Sequence, residues 1–218
     1  MNKQFAVLGL GSFGGHLVEE FHAIGAEVFA MDRNEELVDK YFDIATHVIH
    51  GDAQDEQLLV QAGIRNFDLV VVSFGENIEA SILTTIILTD LGVKEIWVKA
   101  SSLYHQKVLE KIGATRVIRP EKDMARRIAH RLASKHFIDY VELTEEHSMV
   151  EIKATPRIIG KTIAALNVRN RFGCNIVGIY RSHDMIVSPS GEDRIEKEDV
   201  LIVIGENRKL HRFEKQGV

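Results

Sequence analysis

The chain has 218 residues, enough for one large domain or two small ones. Apolar residues at 45% and charged residues at 27% argue against intrinsic disorder, and 27 basic against 32 acidic side chains, a net charge of −5 with histidines neutral, lack the basic excess of a general nucleic-acid binder. The single cysteine, Cys174, excludes an intrachain disulfide and any Cys-rich zinc or iron–sulfur site. No apolar run approaches the ~18–20 residues that span a bilayer, and residues 1–20 lack a secretory pattern, so a cytoplasmic location is expected.

The first 120 residues alternate short apolar runs with longer amphipathic stretches. The runs fall at 5–8, 28–31, 48–49, 69–72, 96–98 and 117–118. Most are continuous rather than alternating, as strands buried on both faces are. Helical stretches are predicted at 17–24, 56–62, 78–91 and 103–112, with Gly25, Gly63, Gly92 and Gly113 near their ends. A left-handed C-terminal glycine belongs there. Strand–helix alternation repeated about six times predicts an α/β, Rossmann-type, doubly wound parallel sheet.

The rhythm then changes. Residues 121–134 form a helical stretch in which Met124, Ile128 and Leu132 recur at helical spacing, while Arg126, Arg127, His130 and Arg131 fill other positions. This is an amphipathic helix with a solvated basic side, or one that contacts a partner or crosses between domains. Residues 136–146 are expected as a linker. Beyond them, strands are predicted at 149–154, 175–181, 185–188 and 200–204, a hairpin turn at Ser182-His183-Asp184, and helices at 162–169 and 208–215. This small α+β unit of ~70 residues is near the lower limit for an independent core. Two domains, 1–135 and 147–218, and pairing with a second copy are expected.

The chemistry concentrates at Gly9-Leu10-Gly11-Ser12-Phe13-Gly14, a GxGxxG that follows the strand at 3–8 and opens a helix. Asp32 closes the second strand, where an acidic residue completes the dinucleotide fingerprint. Gly9 permits the tight turn, Gly11 lets phosphate approach the backbone, and Gly14 lets helix and strand pack closely. The helix start, with Ser12 and Phe13, offers N–H groups and a partial positive charge to phosphates. Asp32 accepts from ribose hydroxyls and disfavours a 2′-phosphate. Arg33 and Asn34 follow it, Arg33 as a phosphate clamp or a solvated side chain. Asp52 and Ala53 follow the third strand and flank the base, and Ser73, Gly75, Glu76 and Asn77 follow the fourth. Lys99 ends the fifth and reaches a phosphate or faces solvent. Glu121 follows the sixth, either as a helix-start carboxylate or as one close to phosphates through a divalent cation.

Three function classes compete. A dehydrogenase needs an acid–base residue and a substrate anchor, yet His147, His183-Asp184 and Cys174 are joined by no pattern, and no HExxH is present. A DNA-binding redox sensor needs a helix-turn-helix module, for which only the basic stretch 126–135 is a candidate. A nucleotide-binding regulatory module without catalysis needs neither. An NAD(H)-binding redox regulator or oxidoreductase stands as the alternative.

The chain resembles the RCK (regulator of K+ conductance, TrkA-N plus TrkA-C) family over essentially its full length, particularly cytosolic Ktr-type regulatory subunits of potassium uptake. The residues that carry this are Gln4-Phe5-Ala6-Val7-Leu8-Gly9-Leu10-Gly11, Gly63-Ile64-Arg65-Asn66-Phe67-Asp68 and Gly75-Glu76-Asn77-Ile78-Glu79-Ala80-Ser81. Further support comes from the stretch 104–114, from Pro120-Glu121-Lys122-Asp123-Met124-Ala125, and from Asn167-Val168-Arg169 with Arg171-Phe172-Gly173.

The resemblance implies a non-enzymatic subunit with an RCK-N Rossmann domain and an RCK-C ligand-binding and dimerisation domain. Dimers would assemble into an octameric ring docked beneath a membrane-embedded potassium-translocating subunit, peripheral to the inner face of the cell membrane. It implies ATP or ADP in the Rossmann site and a divalent cation, Mg2+ or Ca2+, near the phosphates at Glu121. It also implies cyclic di-AMP in the small domain, at Ile158, Ile159, Arg169, Asn175, Ile176 and Pro189. One departure stands out: relatives commonly carry an arginine after the second glycine of the motif, where this chain has Ser12, which brings no charge to the phosphates.

Overall fold

A computed structural model describes residues 3–75 and 77–218, in two compact units that meet in sequence at Pro120 and Glu121. Glu76, expected at the nucleotide, lies outside the described residues. Among the described residues no helix is long and apolar enough to cross a membrane.

The first unit holds six parallel strands, β1 (Gln4–Leu8), β2 (Glu27–Asp32), β3 (His47–His50), β4 (Leu69–Val72), β5 (Ile96–Lys99) and β6 (Arg116–Ile118), in the order β3-β2-β1-β4-β5-β6. Helices α1 (Ser12–Ala23), α2 (Glu35–Tyr41), α3 (Glu56–Gln61), α4 (Ile78–Asp90) and α5 (Leu103–Lys111) connect them. The continuous apolar runs are explained by the two cores they fill. Ala6 and Leu8 of β1 pack with Val70, Val72, Leu59 and Leu88 on one face. Val7 packs with Val28, Val71 and Val18 on the other. Successive side chains therefore all lose water, which removes the polar alternation of a half-exposed strand. Gly25, Gly63, Gly92 and Gly113 all take positive φ, as a helix C-terminal glycine does. The doubly wound Rossmann-type sheet is present, and its strand order reverses direction between β1 and β4. A crevice outside the carboxyl ends of those strands follows from that topology.

Helix α2 goes beyond the predicted elements. Asn34 caps it, its side chain accepting from Glu36 N–H, and Glu35 and Glu36 complement its positive end.

The second unit contains α6 (Pro120–Ala133), all but its first residue, then β7 (Phe137–Glu142), β8 (His147–Lys153), α7 (Ile163–Leu166), α8 (Val168–Phe172), β9 (Asn175–Arg181), β10 (Asp184–Val187), β11 (Val200–Glu206) and α9 (Asn207–Gly217). Its sheet is antiparallel, in the order β10-β9-β11-β8-β7. Two expectations are corrected. Most of the stretch expected as a linker is β7, paired with β8 and burying Phe137 and Tyr140. The helix expected at 162–169 is two short helices, because Asn167 adopts a left-handed φ of 47° and ends the first while opening the second. The hairpin turn is as predicted in place: Ser182 and His183 both have positive φ, the geometry that matches the twist of flanking strands.

One core of Val150, Ile152, Ile179, Leu201 and Val203 from the sheet closes against Leu166, Phe172, Leu210 and Phe213 from the helices. Asp199, fully buried, is held by Arg181, whose Nε and Nη2 donate to its two oxygens at 2.8 and 2.7 Å. The pair ties the long β10–β11 connection to β9.

Candidate functional site: a nucleotide-sized cleft in the first unit

A cleft of about 320 Å³ opens at the carboxyl ends of the parallel strands, the size range of small-molecule sites. Its floor is the β1–α1 turn. Gly9 stands at φ +96°, and a Cβ there would sit 2.6 Å from the Ser73 carbonyl oxygen. Gly14 faces inward, where a Cβ would overlap the Gly9 carbonyl. These two glycines are demanded by packing. Gly11 is not: its φ is −61° and a Cβ there would meet no protein atom within 4 Å. It lines the cleft, so glycine at this position keeps backbone open to a ligand. Helix α1 begins beside it with no side-chain cap and no acidic residue in its first turn. The first N–H groups of a helix lack intrahelical acceptors, so they stay available to an anion.

Asp32 is fixed opposite this turn. Leu10 N–H donates to its Oδ2 at 2.6 Å and Asn34 N–H to its Oδ1 at 2.8 Å. Each oxygen keeps acceptor capacity for hydroxyl donors. Farther along, Asp52 Oδ1 accepts from Gln54 N–H at 2.9 Å and orients the Gln54 amide. Met31, Leu37 and Ala53 supply apolar wall beside them. On the opposite side Asn77 caps α4 through Ala80 N–H, Gly75 takes φ +60°, and Lys99 Nζ lies 5.8 Å from the centre of the Phe13 ring.

Of the residues expected at a nucleotide, Gly9, Gly11, Ser12, Phe13, Asp32, Arg33, Asp52, Ala53, Ser73, Gly75 and Lys99 line this cleft. Gly14 supports it from behind and Asn34 is occupied as the cap of α2. Glu121 belongs to the second unit, in the first turn of α6. Met31, Leu37, Gly51, Gln54 and Phe74 also line the cleft. Adjacency in the chain points to Met31, Gly51 and Phe74, neighbours of Asp32, Asp52 and Ser73; Leu37 and Gln54 arrive from a helix and a loop that only the folded topology brings in.

The second group lies within the second unit. Ile158 is fully buried in its core, whereas Ile159, Arg169 and Asn175 are exposed and Ile176 and Pro189 half-buried. Ser188 N–H donates to the Val177 carbonyl at 3.0 Å, which sets Pro189 beside the start of β9. Cys174 is buried and burial pushes its thiol up to about 11, far from the thiolate a nucleophile needs. Among the described residues no three His, Cys, Asp or Glu side chains cluster to hold a metal ion.

Family models match both parts of the chain: the TrkA-N domain over residues 5–120 and the TrkA-C domain over residues 147–216. The chain is 52% identical to Ktr system potassium uptake protein C of Bacillus subtilis, covering 99% of this chain and 98% of that one. It is 48% identical to Ktr system potassium uptake protein A of the same organism, covering 100% and 98%. The GsuK channel bound to NAD shares the fold at a TM-score of 0.54 and 23% identity, covering 99% of this chain but only 38% of that one. Matched along both domains and nearly end to end, the chain belongs to the TrkA-N/TrkA-C family of regulators of K+ conductance, among the Ktr-type proteins.

Proposed function

We propose that this chain is the regulatory subunit of a potassium-uptake system whose pore is a separate membrane protein, and that an adenine nucleotide in the cleft sets its state. The observation that carries the nucleotide reading is Asp32, immobilised by two backbone N–H groups across from the uncapped start of α1. That is a hydroxyl acceptor and an anion site in one cleft, the two ends of a ribose–phosphate unit. The full-length identity to proteins named for Ktr potassium uptake supports the system. The reading is of a cytoplasmic protein, peripheral to the membrane through its partner, and not an enzyme.

ATP and ADP are the proposed ligands. Ser12 brings no charge, so discrimination between them rests on Lys99 and on a divalent cation at Glu121. That carboxylate is one ligand, and a cation needs several oxygens, so phosphate oxygens and a second copy complete the set and bridge two subunits. Full switching from 1:99 to 99:1 needs about 5.5 kcal/mol; eight coupled sites would supply it at roughly 0.7 kcal/mol each.

Ring assembly is supported by apolar side chains left exposed in the single chain. On α5 these include Leu103 and Tyr104, the latter 80% exposed, and on α6 Met124, Ile128 and Leu132. None of the 14 residues of α6 is buried. Large exposed apolar patches mark interaction surfaces, and pairing of copies into dimers and then a ring would cover them. Cyclic di-AMP is proposed for the second unit through Ile159, Arg169, Asn175, Ile176 and Pro189, with Ile158 supporting Ile159 from within the core.

A calorimetric titration with ATP, ADP, NADH and cyclic di-AMP tests the reading. Adenine nucleotides are expected to bind one set of sites and cyclic di-AMP an independent one. Binding of NADH alone would overturn it in favour of a redox sensor, since Asp32 suits either ribose. Identical scattering profiles with ATP plus divalent cation and with ADP would overturn the switching mechanism.

A further inference from the structure

A ladder of rings in the second unit joins α6 to the sheet and to α9. His130 of α6 stacks on Tyr140 of β7, 4.2 Å between centroids and 9° from parallel. On the α9 side His130 stacks at 6.2 Å on His211, which stacks in turn at 5.7 Å on Phe137. The same helix end is tied by Glu214 of α9, which accepts from Ser134 Oγ at 2.5 Å and from Lys135 N–H at 3.1 Å, and whose other oxygen lies 3.7 Å from His211 Nδ1. Helix α6 buries no residue of its own, and this ladder and two ion pairs, Arg126–Glu142 and Arg127–Asp139, are among the contacts that hold it on the unit.

We propose that the Tyr140–His130–His211–Phe137 ladder is a proton-operated latch that holds α6 on the second unit at neutral pH and releases it on mild acidification. The charges around it give the sign. Glu214 Oε2 of α9 lies against His211 Nδ1. A proton on His130 faces His211 from α9 and Arg126 from its own helix. Of the carboxylates on β7, Asp139 is paired with Arg127, and Glu142, paired with Arg126, favours a proton on His130 but is the smallest of the influences on it. Burial and the two positive neighbours hold the His130 imidazole below its ordinary range. The neutral stack is therefore stable above the usual histidine value of ~6.5 and fails as pH falls below it. The chain enters the second unit through α6, so the latch sits where the two units are joined in sequence.

Hydrogen exchange on the full chain without ligand tests this, independently of the nucleotide and transporter reading. With rates corrected for intrinsic pH dependence, α6 amides are expected to exchange about tenfold faster at about pH 5.5 than at about pH 7.5, and those of β9 and β11 to stay protected. His130→Phe keeps a ring between Tyr140 and His211 but cannot charge, and should abolish the acceleration. Should that variant misfold, an imidazole NMR titration still decides. His211→Phe removes the facing charge and should raise the His130 midpoint. Equal α6 exchange at the two pH values, the same acceleration in His130→Phe, or an unmoved His130 midpoint in His211→Phe would overturn the latch.

Discussion

The two candidate ligand regions are built on different principles. In the first unit a single chain supplies a finished cleft. The reversal of strand order between β1 and β4 opens it, Gly9 and Gly14 close its floor, and Asp32 is already oriented by Leu10 and Asn34. In the second unit the residues implied by family resemblance are split between the core, where Ile158 lies, and the open surface, where Arg169 and Asn175 lie. A doubly wound parallel sheet makes a crevice as a consequence of its topology, whereas an antiparallel sheet with helices packed on it buries its core and presents loops outward. For the proposed second region the complementary surface is proposed to come from a second copy of the chain.

The comparison breaks most readily at the polar and steric anchors of each unit. Asp199→Ala removes the buried carboxylate that accepts from Arg181 and from Glu196 N–H, and should cost ~3 kcal/mol, the upper end for a hydrogen bond to a charged group, since Arg181 keeps Glu196. Gly14→Ala pushes a methyl into the Gly9 carbonyl and should cost ~3 kcal/mol, at the upper end for overpacking. Hydrogen exchange followed separately in the two sheets is the measurement. Each variant is expected to lower protection in its own unit first; equal losses in both sheets would show that the units unfold as one.

Smaller substitutions sharpen the contrast between packing and binding glycines. Gly11→Ala meets no protein atom and has an ordinary φ, so its melting temperature should match the parent within the ~0.5 kcal/mol of a neutral surface change. Its affinity for ATP should nevertheless fall about tenfold, because the methyl occupies the approach to the backbone. Asp32→Ala removes a charged acceptor worth ~1.5–3 kcal/mol and should weaken ATP and ADP by at least about tenfold. Unchanged affinity by calorimetry in either variant would remove the ribose–phosphate assignment while leaving the fold untouched.

How much of this was legible in the sequence follows the same division. The parallel strands announce themselves because both faces are buried, and the glycine spacing with Asp32 names the cleft because each residue type answers a steric or charge demand. Helix α2 is hidden because it is short, and because Asn34, which caps it, also fits a position at the ligand. Strand β7 is hidden by its polar members, Asp139 and Glu142, which pair with arginines of α6 rather than with water alone. Asn167 breaks a helix through backbone conformation, which no periodicity reveals. Gln54 and Leu37 enter the cleft from neighbouring connections, a proximity that only the assembled sheet creates. In the second unit Arg169 and Asn175 carry no physical signature by themselves; only resemblance singles them out.

Histidine chemistry provides the finest comparison, since His105 in the first unit and His130 in the second are both held below the ordinary imidazole range. In the first, His105 is 3% exposed on α5, and Ser101 N–H donates to its Nδ1 at 3.3 Å. The ring is therefore the Nε2–H tautomer, and Nε2 has no hydrogen-bond partner among the described residues. Protonation would place a second N–H against the Ser101 donor, and burial already holds this imidazole below its ordinary range. A histidine depressed in the folded state contributes stability that is fully present above the unfolded value of ~6.5 and is lost as pH falls through the window beneath it. The slope for one proton is at most ~1.4 kcal/mol per pH unit. His105→Asn keeps an acceptor for Ser101 but does not titrate, so it should flatten the acid limb of the first unit's stability while leaving that of the second. Denaturation followed across about pH 5–7.5 by exchange in the β1–β4–β5 amides is the test. A parent and variant with the same acid limb would place the first unit's acid sensitivity in groups other than His105.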